Sequence, residues 1–113
     1  MRLAPRACGC GFCRKHNARN VSDPSGSALL KLGREARRYR FGTRTTDFLI
    51  CERCGVYVGA VAMIGGNLFA TLNLNAFDNP RPDLAAEPVC YDAEDTAAKA
   101  ARRRRNWTPA RLA

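Results

Sequence analysis

Hydrophobic positions in the middle of this chain alternate, and the alternation predicts strands. From 36 to 43, "ARRYRFGT" sets Arg38 and Arg40 against Tyr39 and Phe41. A period of two puts arginines on one face of a strand and aromatics on the other. "TTDFLI" (45–50), rich in β-formers, predicts a second strand, and "ALLKL" (28–32) a short one after the turn at Asp23-Pro24-Ser25-Gly26. "VYVGAVAMI" (56–64) and "NLFATLNL" (67–74) flank Gly65-Gly66, the pattern of a hairpin. Gly59, inside the first arm, marks a bulge or a close backbone approach. A proline-punctuated connection (76–88) then leads to the one helical pattern, "AEDTAAKAARRRR" (93–105). Asp92 is placed to cap it, acidic residues open it, arginines close it, and Asn106 and Pro109 end it. The expectation is one mostly β domain over residues 1–113 with a C-terminal α-helix.

Composition changes this picture in two ways. With 113 residues, the chain can bury one core with a modest margin, and domains of this size often recruit a metal or disulfides. No apolar run is long enough to span a bilayer, and the start, "MRLAPRACGC", has no apolar stretch of the secretory kind. A cytoplasmic, reducing setting is expected, in which closely spaced cysteines bind metal or do chemistry more often than they form bridges. The net charge of +9 suits an anionic partner: nucleic acid, an acidic membrane or a ligand bearing carboxylates.

Five of the six cysteines fall into two groups. "CGCGFC" (8–13) holds Cys8, Cys10 and Cys13, and the Cys8-x-Cys10 spacing is too short for an easy bridge. Cys51-x-x-Cys54-Gly55 ends a predicted strand, as a zinc knuckle does, with glycine allowing backbone amides to turn toward the sulfurs. The same spacing serves redox dithiols, but those need a helix next, and "VYVGAVA" reads as strand. Three clustered thiolates form a claw for Zn²⁺. If a fourth protein ligand closes it, the metal is structural; if one position stays open, the metal can work on a substrate. Three thiolates more than neutralise the ion and weaken its acidification of water, so a soft incoming thiol suits it better than a hard oxygen.

Taken together, "CGCGFCRKHNA" (8–18), "RYRFGT" (38–43), "DFLICERCGVYV" (47–58) and "LNLNAFD" (72–78) resemble the glutathione-dependent formaldehyde-activating enzyme family, which also contains centromere protein V. The resemblance runs from Cys8 to the C-terminal helix. It implies a β-tent (Mss4-like) zinc fold with one or two Zn²⁺ per chain. The catalytic zinc would lie on Cys8, Cys10 and Cys13, and Cys51 and Cys54 would serve a second or shared metal. The implied reaction adds the glutathione thiol to formaldehyde, giving S-hydroxymethylglutathione, a carbon–sulfur lyase reaction run in reverse. In the family the Cys-x-x-Cys-Gly pair is completed by an earlier Cys-x-Cys, and no cysteine precedes Cys8 here. Three alternatives follow: Cys51 and Cys54 lack those partners, the partners stand upstream of Met1, or one of the two cysteines closes the claw.

The remaining residues are less decided. Cys90, isolated in "PVCYD", reads as a small buried apolar residue. His16, the only histidine, stands either near the metal as a proton relay or on a surface loop. Arg34, Arg37, Arg38, Arg40 and Arg44 form a solvated strand face or a grip on the carboxylates of a glutathione-like ligand. The Arg102–Arg105 run allows an alternative function, a non-catalytic zinc module binding nucleic acid or a protein partner. Against that, four consecutive helical residues point all round the cylinder. Trp107 is expected to pin the tail to the body.

Overall fold

The structure is a computed structural model describing residues 3–113. At its centre is the hairpin. Strands β6 (Tyr57–Ile64) and β7 (Asn67–Asn73) pair antiparallel from Gly59↔Leu72 to Ile64↔Asn67. Gly65 and Gly66 turn the chain with φ of +58° and +81°. Two successive positive φ values suit a tight hairpin connection, and glycine reaches them without a steric penalty. Gly59 combines both expected roles. A Cβ there would lie 2.6 Å from the carbonyl oxygen of Thr71. The pairing of β5 (Asp47–Cys51) with β6 also slips beside it, passing from Leu49↔Gly59 to Ile50↔Tyr57 so that Val58 is skipped.

On the far side of β5 lies β4 (Ala36–Tyr39), whose alternation works as the sequence predicts. Arg38 and Arg40 both reach Asp47, at 3.0 and 2.5 Å, while Tyr39 and Phe41 stack toward Phe12 with centroids 5.9 and 5.3 Å away.

Along β7 the sheet forks. Leu68 to Ala70 pair with β9 (Thr108–Leu112), which carries β3 (Ala28–Leu30) on its other edge. Leu72 and Asn73 pair instead with β2 (Asn20–Val21), which leads to β1 (Arg6–Cys8) and then, in parallel, to β8 (Glu87–Val89). Thr71 sits between the two branches, its hydroxyl donating to the carbonyl of Val21 at 3.2 Å.

Both faces of the sheet are covered. Leu49, Val61 and Ala70 pack with Leu30, Leu68 and Ala110 on one side. Ala60 and Ala62 pack with the buried Trp107 on the other, so Trp107 does pin the tail. The radius of gyration, 13.1 Å, matches the roughly 13 Å expected of a compact chain near this length. Among the described residues no helix is long and apolar enough to cross a membrane.

Three sequence expectations need correction. Helix α2 spans Thr96–Asn106, not 93–105, and its cap is Asp95, whose carboxylate accepts from the amide of Ala98 at 2.8 Å. Residues 91–94 close a turn of their own (Glu94 amide to Tyr91 carbonyl, 3.1 Å), so Asp92 lies too early to cap. After Trp107 the chain becomes β9, and the supposed loop ends in β8. Both strands contain a proline and no clean alternation. They form because a partner edge is available, information held elsewhere in the sequence.

Candidate metal centre

Cys8, Cys10 and Cys13 converge. Cys8 is the last residue of β1, Cys10 caps the short helix α1 (Gly11–Lys15), and Cys13 lies buried in that helix. Their three sulfurs lie within 4.8 Å of one another, a group able to hold a metal ion. Among the described residues no His, Asp, Glu or further Cys joins them. Tetrahedral metal–thiolate bonds of about 2.3 Å set sulfurs roughly 3.8 Å apart, so the trio needs little closure to grip an ion.

Hydrogen bonds from the fold reach two of the sulfurs. The amide of Cys13 donates to Cys10 Sγ at 3.4 Å. The Asn20 side-chain amide donates to Cys13 Sγ at 3.6 Å, and the Tyr57 hydroxyl donates to Asn20 Oδ1 at 3.1 Å. The Asn73 side chain in turn donates to the Tyr57 carbonyl at 2.8 Å. All three residues are buried, and none stood out in the sequence. The only signal is polar residues on β2 and β7 at positions that the fold buries.

The trio shares its charge unevenly. A hydrogen bond from the Cys13 thiol, opposed by burial and aided by the Arg102 charge, brings Cys8 down to about 5. The same hydrogen bond, with burial, holds Cys13 well above an ordinary thiol, and burial raises Cys10. One thiolate steadied by a neighbouring S–H is the protonated form of a site whose full ionisation requires a cation. The donor set therefore fits a metal that prefers sulfur. Burial, with the nearby thiol charges, also raises the Tyr57 hydroxyl, so it remains a neutral donor to Asn20.

Beside the trio opens a cavity of about 100 Å³. Phe41, Phe48 and Tyr57 form its aromatic wall, Thr71 lines it at the fork of the sheet, and α2 contributes Lys99, Arg102 and Arg103. Those three basic residues are spaced i, i+3 and i+4, one face of a helix. Arg102 and Arg103 are buried, 7% and 8% exposed, while Arg104 and Arg105 face solvent. The tetra-arginine run is thus split between interior and surface.

Other sequence-predicted residues lie apart. Neither Cys51 nor Cys54 closes the claw. They form a second pair in the turn from β5 to β6, where Gly55 has φ +76° and its amide donates to the Cys51 carbonyl at 2.7 Å. Backbone amides of Cys54 and Arg53 and the Cys54 side chain hold the Cys51 thiol below its ordinary range, the knuckle geometry expected. A strand follows, not the helix of a redox dithiol. Cys90 is exposed, not buried, because β8 ends at Val89 and releases it to the surface. His16 is exposed and lies tilted against Phe12 (centroids 4.5 Å apart, rings at 39°), outside the sulfur group. Arg34, Arg37, Arg38, Arg40 and Arg44 are all exposed and none lines the cavity beside the sulfurs. Arg37 pairs with Glu52, and Arg38 and Arg40 with Asp47.

No family model and no curated protein matches the chain. A crystal structure of a Rhodobacter sphaeroides protein, a structural genomics target, is similar to it with a TM-score of 0.58 and 23% identity, covering 79% of this chain and 82% of that one. The likeness is one of fold.

Proposed function

We propose that this protein is a zinc-dependent enzyme of the glutathione-dependent formaldehyde-activating type, adding a thiol to a small aldehyde. The observation that carries the reading is the three-sulfur group with no fourth side-chain ligand among the described residues, opening onto a cavity lined with cations. Cys8, Cys10 and Cys13 would hold the ion. When bound, zinc would supply a soft centre that keeps an incoming thiol in its nucleophilic, deprotonated form.

The protein's own groups have separable tasks. Asn20 orients Cys13, and Tyr57 fixes Asn20 by donating its hydroxyl hydrogen. Phe41 and Phe48 exclude water from one side of the cavity, which strengthens every charge interaction inside. Lys99 would meet the negative charge that grows on the aldehyde oxygen as its carbon is attacked. The carbon–sulfur bond forms, the carbonyl π pair moves to oxygen, and oxygen takes up the proton the thiol has lost. The balance is one thiol plus one aldehyde giving one S-hydroxyalkyl adduct. Cys51 and Cys54 would serve a second ion remote from this chemistry.

Two measurements test the proposal. Zinc is counted per chain, and the cobalt-substituted protein is titrated with glutathione while ¹³C-formaldehyde is followed by NMR. The expected result is a perturbed sulfur-to-cobalt band and faster appearance of the hydroxymethyl adduct than in buffer. An unchanged band at millimolar thiol, or an uncatalysed rate, overturns the reading.

A further inference from the structure

Arg103 is a buried charge whose hydrogen bonding is incomplete. It is 8% exposed, and its Nε has no hydrogen-bond partner. One terminal nitrogen donates to the Thr45 hydroxyl at 3.0 Å, and the guanidinium lies 5.1 Å from the centre of the Trp107 ring. No carboxylate pairs with it. Arg102 differs: its Nε donates to both oxygens of Glu94, at 2.9 and 3.0 Å, and its guanidinium lies 3.5 Å over the Tyr91 ring. Burial, with repulsion from Arg102, pushes Arg103 down to about 10, still charged at neutral pH. A buried N–H left unpaired is costly, and this one can take an acceptor that the protein itself does not provide.

That guanidinium lines the same cavity as the three sulfurs, with Lys99 and Arg6 also on the wall and Asp92 as the one acidic lining residue. A volume of about 100 Å³ seats a thiol and the few atoms next to it beside the sulfurs. We propose that Arg103 is the carboxylate-binding residue of a small-thiol subsite, selecting mercapto-carboxylates over uncharged thiols. Guanidinium and carboxylate match in a planar two-bond geometry, which uses the free Nε. The proposal rests on the thiol-handling reading of the trio and narrows its substrate: a tripeptide thiol would leave most of its length outside.

The test compares mercaptoacetate, 2-mercaptoethanol and glutathione as ligands of the cobalt-substituted protein. Mercaptoacetate is expected to half-saturate the spectral change at about tenfold lower concentration than 2-mercaptoethanol, as one charge-assisted hydrogen bond supplies. In Arg103→Met that ratio falls to within about twofold. If no thiol perturbs the band, the thiol-handling reading fails and the subsite with it. If both small thiols do so equally, or the ratio survives in Arg103→Met, the subsite fails while the metal reading stands. Weaker metal retention in Arg103→Met with the ratio intact in the fraction still loaded assigns Arg103 to balancing thiolate charge and also overturns the proposal. Should that variant not fold, the Arg103 Nε–H NMR resonance of the metal-free wild type decides. Acetate must shift it where equal chloride does not, and no shift refutes the subsite.

Discussion

Two cysteine groups in one small chain have had opposite treatment. The trio of Cys8, Cys10 and Cys13 is walled by Ala18, Phe12, Phe48 and the buried Tyr57, and has a hydrogen-bonded support running from Asn73 through Tyr57 and Asn20 to sulfur. The pair of Cys51 and Cys54 runs from the end of β5 into a turn, with Cys54 exposed. Backbone amides and the Cys54 side chain lie around the Cys51 thiol, and the neighbouring β4 pairs with Cys51 through Ala36. The first is a site the whole fold converges on. The second is a surface motif supported from one side only, by the pairing of Ala36 with Cys51 and the Glu52 amide donating to the Glu35 carbonyl at 2.7 Å. A ligand cluster embedded in packing has its geometry set before any ion arrives; a knuckle on a surface turn offers two ligands and awaits others.

The largest expected effect tests that contrast directly. Cys13→Ser removes a buried sulfur of the trio, and zinc affinity there should fall by more than the roughly 10–100-fold that loss of a supporting contact brings. Metal content after dialysis measures it. Cys54→Ser should leave the affinity of the trio unchanged. Equal losses from the two variants would mean that the groups share one ion, and the comparison would collapse.

A middle-sized effect comes from the support. Tyr57→Phe deletes the donor to Asn20 Oδ1 in a buried site. Leaving that acceptor unpaired costs about 1–3 kcal/mol, visible as a lower denaturant midpoint. Metal affinity at the trio should drop by about tenfold, a supporting-contact effect and not a ligand effect. If Tyr57→Phe lowers stability but leaves affinity unmoved, the chain of hydrogen bonds braces the core and not the sulfur.

Smaller still is the effect of Gly55→Ala. A Cβ would meet nothing within 4 Å, but the backbone holds φ +76°, a region that L-residues rarely adopt. The strain alone costs about 1 kcal/mol, confined to the knuckle, so global stability falls slightly while metal binding at the trio stays the same. Gly59→Ala provides the contrast within the same stretch, because there the added carbon meets the Thr71 carbonyl at 2.6 Å and the central hairpin must part.

What the sequence revealed divides along a similar line. Short-range patterns were readable: the Gly65-Gly66 hairpin, the Gly59 approach, the two-faced strand at Arg38 to Phe41, and the spacing of both cysteine groups. Contacts set by distant partners were not. β8 and β9 exist because β1, β3 and β7 present edges to them, and neither carries a pattern of its own. Asn20 and Tyr57 acquire a role only when β2 and β6 reach the sulfurs. The arginine run misled for the same reason: its four members look equivalent in order, yet one face of α2 turns Lys99, Arg102 and Arg103 toward the cavity and leaves Arg104 and Arg105 outside. The i, i+3, i+4 spacing was visible; that the core would accept two guanidiniums was not.

The smallest effect concerns the strand that carries the knuckle. Hydrogen bonds from Arg40, with Arg38 adding to them against a small desolvation penalty, hold the Asp47 carboxyl below its ordinary range. A carboxylate with a depressed folded-state pKa favours the fold while ionised. Its contribution is therefore complete at neutral pH, begins to fade near the ordinary value of about 3.9, and is gone only below the lowered one. Both arginines are about half exposed, 47% and 55%, so solvent screening keeps the gain under about 1 kcal/mol. Asp47→Asn should accordingly lose a few tenths of a kcal/mol at pH 7 and show a flatter decline in stability below pH 4 than the wild type. Metal retention at the trio should be indifferent to the substitution at neutral pH, because Asp47 lies outside both the sulfur group and its cavity. A change in that retention would tie β5 to the trio mechanically, and the independence of the two cysteine regions would have to be abandoned.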